Sequence, residues 1–364
     1  TEAQAAEIMQ VINNVTAGKD NDYDKAKAIY DWVAANVHYE SNPNVNISAQ
    51  PYDVFTSKQA VCGGFSNLIK EMMNLANIPA VALVGYYNNS QPHQWSAVYV
   101  GEEWVYADAT APGFFNHDSL LTTHRPTEVK DAVITNGNLQ LGYYNGLAVV
   151  GATESKVVIP NDYSGYLITA VSYSLFSENS PVEEIELNAN IISLDESTLK
   201  SSSKIKEIKV AEGNSMYASH EGALFTTDYT TLIVYPKGSD RTEFTLPKET
   251  NNFDTKETFT SSKLENIYVE EGNTKYSSYE GAIYNADKTE LLCVPAGKTS
   301  IRVLDNANIS GSAFASVDTK KITIIAKSDS PAANYARTNQ INLQVVDIEK
   351  PVAKTDLVYN GSEQ

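Results

Sequence analysis

AVCGGFSNLIKEMMNLANIPA, residues 60–80, and HQWSAVYVGEEWVYADAT, residues 93–110, are the two stretches that decide the fold. In the first, Phe65, Leu68, Ile69, Met72, Met73 and Ala76 recur at i, i+3, i+4 and i+7, the spacing of one buried helix face. Cys62 stands at the start of that helix, and Pro79 follows its end. The two methionines read as core fillers. Three strand-like runs come next, Ala80 to Tyr87, His93 to Val100 and Glu103 to Ala109. Gly101-Glu102 is expected to be a two-residue type II′ turn. That register pairs Tyr99 with Trp104, Ala97 with Tyr106 and Trp95 with Asp108. His93 then shares a face with Asp108 as its diagonal neighbour, about 7–8 Å away along the backbone.

Upstream, Ile8, Val11, Ile12 and Val15 predict a first helix. Lys25 to Val37 predicts a second, with Asp22 or Asp24 as its N-cap. Gln50 to Val61, with Pro51, reads as a loop. Helices first and an antiparallel sheet afterwards make an α+β layout.

The chemistry follows from residue types at these places. The end of a helix with partial positive charge favours a thiolate at Cys62. Gly63 and Gly64 let a carbonyl approach the backbone, and the N–H of Gly63 is a candidate oxyanion donor. Gln59 is the nearest upstream amide and the candidate for a second donor. Taken alone, Cys62 would be a small buried hydrophobe, His93 an edge histidine and Asp108 a strand-end carboxylate. Their arrangement makes them a nucleophile, a base and the carboxylate that orients it. His38, His117, His124 and His220 show no comparable arrangement in the sequence. Asp20, Asp22 and Asp24 resemble the start of a calcium loop but lack its glycine, so no metal site is expected.

The 364 residues exceed the roughly 250–300 that one core supports, so two domains are expected. A net charge of -18 repels phosphate backbones and argues against a nucleic-acid partner. No stretch is apolar for long enough to span a bilayer. The opening TEAQAAEIMQ lacks a signal-peptide pattern. Two cysteines in different regions, Cys62 and Cys293, do not make a disulfide framework.

After about residue 155 the texture becomes repetitive. An apolar-x-x-Ile-x-apolar motif appears as Val182-Ile185-Leu187, Ile205-Ile208-Val210 and Leu264-Ile267-Val269, with a weaker copy at Ile322 and Ile324. Its first interval is 23 residues. Residues 205–238 and 264–297 align without a gap, 15 of 34 positions being identical, around EGN-x-x-Y-x-S-x-EGA. Such self-similarity marks stacked units whose strands bury each other's apolar faces. Cys293 takes the place of Val234 in that alignment and is expected to be buried.

AIYDWVAANVHYE (28–40), together with the two opening stretches, resembles the transglutaminase-like superfamily, relatives of papain-type thiol enzymes, over about residues 24–110. The family's triad maps onto Cys62, His93 and Asp108. Its Asp-Pro-Thr is here Asp108-Ala109-Thr110. Residues from about 155 to 348 resemble the leucine-rich-repeat modules of BspA-like bacterial surface proteins. The resemblances imply an α+β papain/transglutaminase-like domain over 1–150 and a leucine-rich-repeat solenoid over 155–348. Residues 349–364 would be a linker or the start of a further domain. They imply a secreted or cell-surface thiol enzyme that needs no cofactor. It would act on protein or peptide amides by hydrolysis or acyl transfer, while the repeats hold a host or bacterial surface protein or a glycan. The alternative is a non-catalytic surface adhesion protein with the same fold as a scaffold.

Overall fold

The computed structural model describes residues 1–42, 45–110, 124–130, 134–144, 146–261 and 263–347. It is a mixed structure with few helices and many strands, divided into two compact units, Thr1–Thr227 and Asp228–Gln364. His117 and residues 349–364, both named above, lie outside the described residues.

The first unit opens with α1 (Glu2–Thr16) and α2 (Asp22–Asn36). The N-cap of α2 is Asn21, whose side chain accepts from the Asp24 N–H, rather than either expected aspartate. Asp22 and Asp24 occupy the first turn instead, where acidic side chains suit the helix dipole. Short parallel strands β1 (His38–Tyr39) and β2 (Gln59–Ala60) flank α3 (Pro51–Ser57). The stretch read as a loop therefore holds a helix. Pro51 starts it, since the first turn of a helix has no use for the missing N–H. Val54 and Phe55 of α3 are buried.

Helix α4 (Cys62–Leu75) buries Phe65, Leu68, Ile69, Met72 and Met73 in one cluster with Ile8, Ile12, Ile29 and Val33 of the first two helices. The sheet behind it has the order β5-β4-β3-β6, all antiparallel, from β3 (Ala80–Tyr87), β4 (Gln91–Val100), β5 (Glu103–Ala107) and β6 (His124–Lys130). One sheet face, with Val98, Val100, Val105 and Ala107, joins the helical core. The β4–β5 register pairs Tyr99 with Trp104 and Ala97 with Tyr106, as the alternation predicts. The turn differs: Gly101 and Glu102 both have positive φ, +61° and +66°, which is type I′, not II′.

An antiparallel set, β7 (Ile134–Asn136), β8 (Leu139–Tyr144) and β9 (Gly146–Ala152), follows in the first unit. Next comes β10 (Lys156–Val158), which pairs in parallel with residues 184–187, themselves parallel to 207–210. In the second unit 243–246 pair in parallel with 266–269, and 300–302 with 323–326. Ile185 faces Ile208, Phe244 faces Ile267 and Ile301 faces Ile324, each pair 23 residues apart. Asparagines, Asn214 buried and Asn273 half-buried, tie successive units together within each body. Asn214 Nδ2 donates to the carbonyls of Asn188 and Ile191 at 3.0 and 2.9 Å, and Asn273 Nδ2 to those of Pro247 and Thr250 at 3.2 and 2.8 Å. The EGA blocks are hairpin turns, with Glu221-Gly222 and Glu280-Gly281 at positive φ. Cys293 is buried, and burial pushes its thiol up to about 12.

Gly64 sets how closely the first turn of α4 approaches its neighbours. A Cβ there would lie 2.8 Å from the Ala60 side chain and 3.0 Å from Val54 Cγ2, both buried. Gly64→Ala is therefore expected to destabilise the protein by about 1–3 kcal/mol despite the better helix propensity of alanine. Urea unfolding checks this; an unchanged midpoint would show that the turn has slack.

Candidate active site

Helix α4 begins without a side-chain cap: Val61 is the N-cap, and its carbonyl accepts from the N–H groups of Gly64 and Phe65. Cys62, half-buried, thus sits among first-turn N–H groups that the helix itself does not use. The His93 side chain and the backbone N–H groups of Gln94 and Gly63 favour its thiolate. Of these, the His93 side chain lowers the thiol pKa most. Burial opposes it, and the two N–H groups and the imidazole charge add to the lowering.

His93 comes from β4 and Asp108 from just beyond β5, the hairpin partner. His93 Nε2 lies 2.6 Å from Asp108 Oδ2, so the diagonal placement on the strands closes into a hydrogen bond. With Nε2 committed to the carboxylate, Nδ1 is the nitrogen left for Cys62. Burial pulls the His93 pKa down, but the bond to Asp108 and the nearby Cys62 outweigh it and raise it to about 9. A lowered thiol beside a raised imidazole favours the thiolate–imidazolium form of the two side chains.

Asp108 is itself held from several sides. Tyr30 of α2 donates to its backbone carbonyl at 2.9 Å. Its Oδ1 accepts from the Thr110 N–H at 2.9 Å and from Thr110 Oγ1 at 2.7 Å. Its Oδ2 takes His93 and, at 2.9 Å, His124 Nε2. Burial works to raise the Asp108 pKa; the donors, His124 first, override it and hold the carboxyl well below the usual carboxylate range.

His124 corrects the sequence reading, which saw no role for it. It starts β6, which pairs with β3 and not with its sequence neighbour β5, so the only cue was a strand order that local patterning does not encode. Gln94 is the second residue missed. Its side chain donates to Ser66 Oγ at 2.6 Å and Asn67 Oδ1 at 3.0 Å, while Ser96 Oγ donates to the Ser66 carbonyl at 3.0 Å. This buried polar seam docks the first turns of α4 on β4. Gln59 stands exposed on β2 and is not among the groups gathered at the thiol. Tyr39, on β1, stacks on Phe65 and carries a phenol pKa raised first by burial and then by Cys62 and Asp108. With Glu40, Val45, Ile47 and Val61 it lines a cleft of about 480 Å³ beside the residue preceding the thiol.

Among the described residues, His93, Asp108 and His124 form the group of ligand-type atoms tight enough to suggest a metal. Zinc bonded at about 2.0–2.1 Å to tetrahedral ligands would hold them about 3.3 Å apart. The separations of 2.6 and 2.9 Å are those of charge-assisted hydrogen bonds instead, so this donor set does not fit zinc as it stands. Of the acidic residues at 20–24, Asp22 pairs with Lys25 at 2.9 Å and Asp24 accepts from Asn21 at the start of α2.

Comparison with known proteins agrees in one region. Residues 9–109 match the family model of the Transglutaminase-like superfamily. The uncharacterized protein YebA of Bacillus subtilis (strain 168) is 29% identical over 125 residues, covering 28% of this chain and 17% of that protein. A putative cysteine protease structure from Cytophaga hutchinsonii is 28% identical, with a TM-score of 0.27, over 29% of this chain and 37% of that one. A TGase structure is 23% identical, with a TM-score of 0.28, over 33% and 35% of the two chains. The structure of the pneumococcal vaccine antigen PcpA is 15% identical, with a TM-score of 0.31, over 53% and 64%. The match thus spans less than a fifth of the curated relative and little more than a third of the first two structures. The N-terminal part of the chain, the part that carries Cys62, His93 and Asp108, is transglutaminase-like.

Proposed function

We propose that the first unit is a thiol enzyme acting on the amide groups of proteins or peptides. The observation that carries this reading is the 2.6 Å hydrogen bond from His93 to Asp108, beside a helix-start thiol whose pKa the same His93 lowers. The Cys62 sulfur forms a bond to the amide carbonyl carbon. The N–H of Gly63 is the donor proposed for the resulting oxyanion. As the C–N bond breaks, the proton on His93 passes to the leaving nitrogen. Water or a primary amine then attacks the thioester, His93 takes the attacker's proton, and Cys62 leaves as the thiolate, which restores the starting state. Asp108 keeps His93 oriented throughout, fixing its tautomer while it is neutral and stabilising its charge while it is protonated. Water as the second attacker gives hydrolysis; an amine gives transamidation.

The repeats are proposed to be a leucine-rich-repeat solenoid over residues 155–348, following a catalytic domain over 1–150. The 23-residue parallel pairings support this reading. A protein or glycan partner on the repeats, and a secreted or cell-surface setting, complete it.

The reading is tested by offering a glutamine-containing peptide with and without cadaverine. Ammonia release alone marks hydrolysis, amine incorporation marks transamidation, and Cys62→Ala should abolish either. Cys62 should react with iodoacetamide well below pH 8.5, and His93→Ala should slow that reaction about tenfold or more at pH 7. Asp108→Ala should have the smaller effect of the two. No turnover, together with a free-thiol titration in both wild type and His93→Ala, would leave the scaffold reading in its place.

The raised His93 pKa also enters folding. Its contribution to stability is fully present below the ordinary value of 6.5 and is lost as pH rises through about 9. The stability gap between wild type and His93→Gln should therefore narrow across that window, by up to roughly 3 kcal/mol in urea titrations. A gap that does not change with pH would mean that His93 is neutral in the fold. For the domain boundary, limited proteolysis is expected to cut between about 145 and 160 and leave a folded N-terminal fragment. An uncut chain and an insoluble fragment would move the boundary elsewhere.

A further inference from the structure

We infer that His124 is a positioning residue for the reaction, a second imidazole that locks the Asp108 carboxylate in the orientation His93 needs. The inference rests on the thiol-enzyme reading above and extends it to a residue outside the triad.

The geometry is specific. His93 and His124 both present Nε2 to the same oxygen, Oδ2, at 2.6 and 2.9 Å. An ionised carboxylate only accepts, so Nε2 of His124 must carry its proton, which sets the His124 tautomer wherever that ring is neutral. Thr110 donates twice to Oδ1. Four donors on two oxygens leave the carboxylate no rotation that keeps them all. His124 is as buried as the group it holds: both side chains are 1% exposed. Its ring packs edge-on against Trp95 and Tyr87, with centroids 5.0 and 5.2 Å away, and lies 5.7 Å from the His93 ring. Water has little access to the site from that side. Without the His124 proton, Oδ2 would keep only His93, and the carboxylate could turn away from it. The thiolate at Cys62 would then lose the oriented imidazolium that stabilises it.

The test compares His124→Phe, which keeps a flat ring but no donor, with His124→Gln, which restores an N–H donor. The readout is the pH profile of Cys62 alkylation by iodoacetamide in the full chain. His124→Phe should slow alkylation at pH 7 about tenfold and move the apparent thiol pKa up by about one unit, the effect of one lost charge-assisted hydrogen bond. His124→Gln should bring the rate back to within about threefold. A purely structural role would lower the melting temperature of both variants and leave the profile of the folded fraction unchanged, which overturns the proposal. An increase in rate in His124→Phe overturns it as well, as does a wild-type profile that shifts on adding EDTA, since a metal would then hold the cluster.

If His124→Phe does not fold, side-chain nitrogen NMR of the wild type decides. A proton on His124 Nε2 in slow exchange supports the lock, and an unprotonated Nε2 overturns it. Failure of the enzyme reading is distinct: there the wild type itself titrates as a free thiol and does not respond to His93→Ala.

Discussion

A buried carboxylate that needs four donors is the constraint around which the first unit is arranged. Asp108 is removed from water, and an ionised group so placed persists only if every oxygen is satisfied. The donors come from β4, from β6 and from Thr110, while Tyr30 of α2 fixes the backbone at the same residue. Two separate strands are therefore pinned to one side chain, and a helix to the backbone of the same residue. The helical core and the sheet face that packs on it supply the hydrophobic energy, and the carboxylate specifies how the sheet edge and its loops meet.

The thiol end is built by a different device. Helix α4 reaches the sheet through a polar seam, Gln94 with Ser66 and Ser66 with Ser96, set in an otherwise apolar contact. The closeness of that first turn depends on Gly64, against which Val54 and Ala60 pack. The sequence reading assigned both glycines after Cys62 to substrate access. The structure gives them separate tasks: Gly63 faces the sulfur and the Gln94 amide, and Gly64 is a packing residue.

What could be read from the sequence follows how locally each feature is encoded. The period-2 pattern of β4 and β5 carried the register and so the approach of His93 to Asp108; only the turn type was misassigned, because Glu102 adopts positive φ without being glycine or asparagine. The 23-residue interval was visible because parallel strands in register repeat their apolar residues at the same spacing. Helix α3 was hidden because proline reads as a breaker even where it starts a helix. His124 and Gln94 were hidden for a deeper reason. Their partners are 16 and 28 residues away, across strand orders and helix contacts that only the folded chain brings together.

The two cysteines differ in a way that has a practical use. Cys62 is half-buried with a lowered pKa, while Cys293 is 1% exposed and pushed up to about 12. In the native chain a soluble maleimide thus meets one competent sulfur. Modification at Cys293 has to wait until its surroundings open, so once Cys62 is blocked, the slow uptake of a second label becomes a clock for transient opening of the second unit. The chain carries its own reporter of breathing in the repeats, with no residue added.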